Sequence, residues 1–316
     1  MVSIGYFLSS EEHPGTALVD AAARAEQAGF RTAWISDHFH PWLDEQGHSP
    51  FVWAVIGGIA RATSDLRLYT AVTCPTVRLH PVIIAQAAAT CQELMGGRFG
   101  LGVGSGEALN EHILGDHWPP LDTRLDMLSE AIAVIREMWT GSLTTHYGEH
   151  YVVENARIYT LPVTLPEILV SGFGPKAISL AAEVADGFMT TKPNAEDLQS
   201  YRQQGGVGLT QGGLKVCWAP TAEDARRTVH RVWRNMFVPG QLSQDLSLPR
   251  HFDQAASLVS EEMVTGLPLG PDPEEHIKAI QEYVDAGFDE VYISQIGPDQ
   301  AEMIDFYKRD ILPQLA

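Results

Sequence analysis

The chain has 316 residues, a hydrophobic fraction of 45% and a formal charge of −19. A surface that acidic repels nucleic acid and anionic membranes, which argues against both as partners. It also requires that any anionic ligand be held by a local device, such as a helix N-terminus or a few cations.

The N-terminal stretch "MVSIGYFLSSEEHPG" has no basic n-region and no small-residue cleavage site. No run approaches the roughly 20 apolar residues needed to cross a bilayer, so a cytoplasmic protein is expected. Short β-branched runs then alternate with longer amphipathic stretches. Strands are predicted at 3–8, 32–36, 66–72, 98–104, 167–172, 187–191, 214–218 and 290–295. Helical stretches are predicted at 15–29, 51–64, 81–95, 122–140, 174–185, 221–235 and 273–286. Thr16 and Thr221 are placed as N-caps, Pro81 and Pro175 at the first helical position, and Gly29 and Gly287 as left-handed residues past helix ends. Cys74, Cys91 and Cys217 are odd in number, scattered and free of C-x-x-C spacing, which excludes a disulfide framework.

Eight strands each followed by helix give the arithmetic of a (β/α)8 TIM barrel in one domain, 1–316. The competing open sheet would place G-x-G-x-x-G after its first strand, and nothing there matches. The glycines of "GLGVGSGE" instead alternate along the fourth strand, where they let a backbone or ligand approach closely. Two insertions are expected. Residues 143–159 read as a β-hairpin turning at Gly148 before strand five, and 221–272 as a helical excursion between strands seven and eight.

In such barrels the loops at the C-terminal strand ends build the site. "SDHFHPW" follows strand two. His38 and His40 could form an H-x-H metal pair, a hydrogen-bonded loop, or an acid–base site in which His38, beside Asp37 and Trp42, takes up a proton near neutral pH. The ends of strands five, six and eight offer no further metal ligands, so no metal is assigned. "SGEALNEH" follows strand four and brings Ser105, Gly106, Glu107 and Asn110 to the rim; an acidic residue there also suits a helix start. "SGFGPKA" after strand five combines Gly172, Gly174, Pro175, Lys176 and Ala177. It reads either as a plain connection or as an anion-binding helix N-terminus.

Together "GYFLSSEE", "SDHFHPW", "PTVRLHPVIIAQAAAT" and "GVGSGEALNE" resemble the coenzyme F420-dependent branch of the luciferase-like oxidoreductases, and within it the F420-dependent glucose-6-phosphate dehydrogenase subfamily. The resemblance implies a luciferase-like TIM barrel that moves a hydride between a substrate carbon and the deazaflavin. It implies His38 as the base at the substrate hydroxyl, Glu107 as the acid at the cofactor ring nitrogen, and Trp42 as the wall that holds the substrate against the ring. Asp37, Ser105, Gly106, Asn110, Gly172, Gly174, Pro175, Lys176 and Ala177 fall on cofactor-contacting stretches, with a cis peptide at Ala71–Val72 against the ring. Glu11, His40, Thr191 and Lys192 fall at the substrate end, and a homodimer is the family habit. Asn194, Gln254 and Ala279 stand where sugar-phosphate members carry basic residues. That departure favours an uncharged sugar or secondary alcohol over glucose 6-phosphate. An FMN-dependent monooxygenase on the same barrel and a metal-dependent hydrolase are the alternatives.

Overall fold

In the computed structural model, which describes residues 2–315, eight parallel strands close into a barrel. In chain order the strands are β1 (Ser3–Leu8), β2 (Thr32–Ile35), β3 (Arg67–Thr70), β4 (Phe99–Val103), the hairpin β5 (Thr144–Tyr147) and β6 (Val152–Ala156), β7 (Ile168–Ser171), β8 (Gly187–Thr190), β9 (Thr210–Val216) and β10 (Glu290–Gln295). The hairpin stands apart from the barrel, whose strand order is β1-β10-β9-β8-β7-β4-β3-β2.

Side chains alternate across each strand, so one set meets the outer helices and the other fills the barrel. Tyr6 of β1 faces outward and packs edge-on against Phe30, whereas Trp34, Tyr69, Leu169, Met189 and Tyr292 form the inner layer. Trp34 stacks on Tyr292 with ring centroids 4.3 Å apart. Beneath them Glu290 accepts from Gln211 Nε2 at 2.7 Å and from the Tyr292 hydroxyl at 2.6 Å, and Gln211 accepts from Trp34 Nε1 at 2.8 Å. Apolar packing and satisfied polar groups thus plug the N-terminal end, leaving the C-terminal mouth for chemistry.

The alternating glycines of β4 make that packing possible. A Cβ on Gly100 would lie 2.0 Å from the Tyr69 ring, and one on Gly102 would lie 2.0 Å from the Thr70 carbonyl oxygen. The anticipated close approach is therefore to protein backbone and aromatic ring.

Pro81 and Pro175 open their helices, Thr221 caps Ala222–Trp233 through Asp224 N–H, and Gly29 and Gly287 adopt φ values of 109° and 95°. Thr16 is not a cap: the helix Gly15–Ala28 begins one residue earlier, after Pro14. Strand seven is also displaced, running from Thr210 to Val216 where 214–218 is expected from sequence. Gly212 and Gly213 fall before the expected strand, yet they belong to it because Tyr283 and Trp34 occupy the space that side chains there would fill. A further helix, Ala195–Gln203, lies after β8 and is capped by Asn194, whose Oδ1 accepts Glu196 N–H at 3.0 Å. The excursion after β9 holds helices Ala222–Trp233, Leu242–Asp245 and Pro249–Ala256. No described helix is long and apolar enough to cross a membrane.

Gly102→Ala should lower stability by at least about 1–3 kcal/mol, because a backbone oxygen and Met189 cannot both move away. Chemical denaturation measures this; a variant as stable as the parent would show that β3 and β4 are not packed this closely.

Candidate active site

The loops after β1, β2, β3 and β4 meet at the mouth because their buried polar groups satisfy one another. Asp37 Oδ2 accepts from Thr73 Oγ1 at 2.8 Å, and its Oδ1 accepts from Arg78 Nη2 at 2.9 Å. Glu111 Oε2 accepts the backbone N–H groups of Arg78 and Val77 at 2.7 and 3.2 Å, while Oε1 lies 3.6 Å from Arg78 Nε. Burial pushes the Glu111 carboxyl up, and Arg78 opposes that shift. Each carboxyl oxygen of Asp37 thus holds a neighbouring loop residue.

His38 therefore has a partner other than the one its sequence neighbour suggests. Its Nε2 lies 3.4 Å from Glu11 Oε1, and its Nδ1 lies 3.2 Å from the His40 carbonyl oxygen. Glu11 is buried and also accepts from the Ser36 and Ser9 hydroxyls at 2.6 and 3.0 Å. Burial raises the Glu11 pKa, but His38, Ser36 and Lys215 outweigh it, leaving the group below its ordinary value. An Nδ1–H bonded to the His40 carbonyl leaves Nε2 as the basic nitrogen. The 3.4 Å separation sets a carboxylate beside that nitrogen without committing it to a hydrogen bond.

Trp42 lies beside the imidazole at 5.0 Å between ring centroids and meets Phe252 of the excursion edge-on at 5.2 Å. His40 turns away: its Nδ1 lies 2.9 Å from the Leu109 carbonyl oxygen, and its ring stacks on His112. The two histidines of H-x-H thus face different partners. No group of three or more His, Cys, Asp or Glu side chains among the described residues is placed to hold a metal ion.

Asn110 joins the β2 and β4 loops, its Oδ1 accepting the N–H groups of Phe39 and His40 at 2.8 and 3.1 Å. Its Nδ2 is buried and has no partner among the described residues. Gly106 takes φ 82°, and its carbonyl accepts from Arg124 Nη1 at 3.0 Å. Glu107 follows, half-buried at the start of the turn Ala108–Glu111, with no side-chain cap bond. Ser105 lies beside it, half-buried. Ala71 and Val72 are half-buried at the end of β3 and joined by a cis peptide bond; a Cβ on Gly104 would lie 2.8 Å from Val72.

Across the mouth, Gly172 and Gly174 lead into the helix Pro175–Val184, which no side chain caps. The first-turn N–H groups of Lys176 and Ala177 lack helical partners by construction of any helix. Lys176 forms an exposed ion pair with Asp122 at 2.5 Å, a contact weak enough to be exchanged for an anion. Thr191 and Lys192 are exposed after β8, and the Lys192 ammonium lies 5.8 Å from the Phe173 ring centre.

Arg78, Glu12, Trp233 and Lys215 belong to the mouth but escape a motif reading. The strand register alone could have found Lys215, because it shares a face with the inward Gly213 and Gln211.

The match to known proteins spans the chain. The family model described as luciferase-like monooxygenase covers residues 2–290. The F420-dependent glucose-6-phosphate dehydrogenase of Microbacterium testaceum is 33% identical over 98% of this chain and 96% of its own length. The F420-dependent hydroxymycolic acid dehydrogenase of Mycobacterium tuberculosis is 34% identical over 99% of this chain and 88% of its own. The solved structure of an F420-dependent secondary alcohol dehydrogenase with an F420–acetone adduct superposes with a TM-score of 0.92 at 29% identity, covering 100% of this chain and 99% of that one.

Glu11→Gln keeps the shape of the pair but removes its charge. The wild-type carboxyl is held below its unfolded value. It therefore contributes stability present above the ordinary carboxylate range of about 4.3 and lost as pH falls through its lowered folded pKa. The stability gap between wild type and Glu11→Gln should be largest above about pH 5 and close in acid, as measured by urea denaturation across pH. A gap independent of pH would place the effect in packing.

Proposed function

The chain belongs to the luciferase-like family, and on that premise we propose a coenzyme F420-dependent dehydrogenase that acts on the CH–OH carbon of an uncharged alcohol or sugar. The observation that carries this reading is the His38–Glu11 pair walled by Trp42 at the barrel mouth, on a chain similar over its full length to F420-dependent dehydrogenases.

The residues fit the cofactor. Asn110 Nδ2 is a buried donor without a partner, Gly104 leaves Val72 bare of a facing side chain, and the uncapped helix at Pro175 offers N–H groups to an anionic tail. When bound, the deazaflavin supplies a two-electron hydride acceptor. The chain aligns the donor carbon and handles protons. His38 Nε2 takes the hydroxyl proton, Glu11 stabilises the imidazolium so formed, and Trp42 with Phe252 keeps water from the reacting carbon. Glu107, free of side-chain partners and anchored through the Gly106–Arg124 contact, is the acid on the cofactor side.

Neutral substrates are favoured because the positions expected to bind a dianion are spent or uncharged. Asn194 caps its own helix, Gln254 is exposed and neutral, and Ala279 carries no polar group. Lys192 is the nearby cation after β8. Thr191, Lys192 and His40 border the substrate entrance in this reading, with His40 acting through its hold on the Leu109 carbonyl.

A cytoplasmic homodimer completes the proposal. All three cysteines are free and buried, which suits a reducing compartment. An apolar groove of about 420 Å³ on the outer helices exposes Phe51, Ile83 and Leu94, a patch suited to a second copy. Ile83→Asp should shift the protein from dimer to monomer in sedimentation; a wild-type monomer would remove this part of the proposal.

The central test is a binding titration with F420 and FMN, followed by turnover with secondary alcohols, glucose and glucose 6-phosphate. Tight FMN binding without F420 binding would favour a monooxygenase instead. His38→Ala should reduce turnover about 10²–10⁴-fold while leaving F420 affinity nearly unchanged. Unchanged turnover would remove His38 from the mechanism.

A further inference from the structure

Lys215 is a mouth cation that the proposed reaction does not use and that, unlike Arg78, has no ion pair among the described residues. It lies on β9 in register with Ser294 of β10, and each follows an inward position by two residues and so shares its face, Lys215 after Gly213 and Ser294 after Tyr292. The ammonium sits 3.5 Å from the centre of the Trp233 ring and 5.8 Å from that of Phe7. Among the described residues no carboxylate lies within ion-pair distance of it and no acceptor within hydrogen-bond distance. Ser294 Oγ is buried and likewise has no partner.

The covering ring is held in place. Trp233 Nε1 donates to Glu12 Oε1 at 2.5 Å, and Glu12 Oε2 accepts Gly297 N–H at 2.7 Å. Burial lowers the Lys215 pKa, and Glu11 and Glu12 oppose that shift. A half-buried ammonium that lies over an aromatic ring and has no hydrogen bond or ion pair within the described residues has donors to spare, and a ligand oxygen entering the mouth can take one in place of water. Glu11 stands close enough to act on this ammonium, so a second anion would meet repulsion; a neutral oxygen would not.

We propose that Lys215, with Ser294 beside it, binds a neutral second oxygen of the substrate, so that preferred substrates are sugars, polyols or hydroxy-ethers and not plain alkanols. This rests on the dehydrogenase reading of the same mouth and assigns Lys215 as a specificity residue within it.

The test compares two alcohols of equal length, 2-pentanol and 1-methoxy-2-propanol, which differ by an ether oxygen in place of a methylene. In the wild type kcat/KM should favour the hydroxy-ether at least about tenfold. In Lys215→Met that ratio should fall toward one, and Ser294→Ala should lower it in part while keeping the charge. An unchanged ratio in Lys215→Met, or equal losses on both alcohols, would overturn the assignment. Binding of the same two alcohols, read by tryptophan fluorescence, repeats the comparison without turnover. Should neither alcohol be oxidised by an F420-loaded enzyme, the proposed reaction fails for this class. A binding preference that Lys215→Met abolishes would still support the inference, and one that it leaves intact, or no preference at all, would sink it.

Discussion

One buried cation organises the mouth. Arg78, from the loop after β3, lies between Asp37 after β2 and Glu111 after β4, so a single guanidinium ties three consecutive βα loops. Removing one partner of such a pair costs about 3–5 kcal/mol, since it leaves a buried charge uncompensated, whereas an apolar replacement of the whole set can be neutral. The cluster is better understood as fixing geometry than as adding stability. His38 follows Asp37 directly, and Glu107 begins the short turn that Glu111 ends, so both proposed proton-handling residues inherit their positions from Arg78. Asn110 adds a second tie between the same two loops, and Arg124 a third, from the Gly106 carbonyl.

The excursion after β9 roofs this framework through few but specific contacts. Gln46 Nε2 donates to the Val232 carbonyl at 3.0 Å while its Oε1 accepts Trp42 N–H at 2.8 Å, so the segment bearing Trp42 is pinned to the roof. Arg124 reaches Gln244 at 3.3 Å, and Phe252 packs with Leu43 and Leu109. The roof therefore touches Trp42 itself and the neighbours of the other proposed residues in the β2 and β4 loops. Changes in its sequence can alter the substrate without disturbing the barrel below, as expected where function sits on loops held by a rigid scaffold.

The barrel was legible because strand and helix periods repeat with clear punctuation, and because glycine spacing in β4 has few other uses. Thr210–Gly213 was not, since two glycines deny local strand preference and only Trp34 and Tyr283, distant in sequence, restore it. His38, Glu107 and Trp42 stood out as motif residues at strand ends. Glu11 stood out as well, but by its place at the substrate end and not as the partner of His38. Asp37 precedes His38 in sequence, yet the barrel hands it to Arg78 and gives the imidazole to Glu11 from a different strand. Adjacent residues in an extended segment point to opposite sides, so sequence proximity was the wrong guide to the ion pair.

Glu11 and Glu12 show the same principle in their charges. They are neighbours, both buried, yet Glu11 is held below its ordinary value while Glu12 is pushed up to about 7. Burial acts on both in the same direction. Glu11 faces an imidazole and two serine hydroxyls, which favour the anion strongly. Glu12 has only the Trp233 and Gly297 N–H groups close by, with Lys215 further off and Glu11 working against it. One carboxylate thus stays charged beside an imidazole, and the other can carry a proton near neutrality while holding Trp233. With Glu11 matched to His38 and Glu12 partly discharged, Lys215 has no charge fully assigned to it within the protein. A dianion would satisfy Lys215 but confront Glu11, and a plain hydrocarbon would leave the ammonium's donors without partners. A neutral, oxygen-bearing alcohol conflicts with neither.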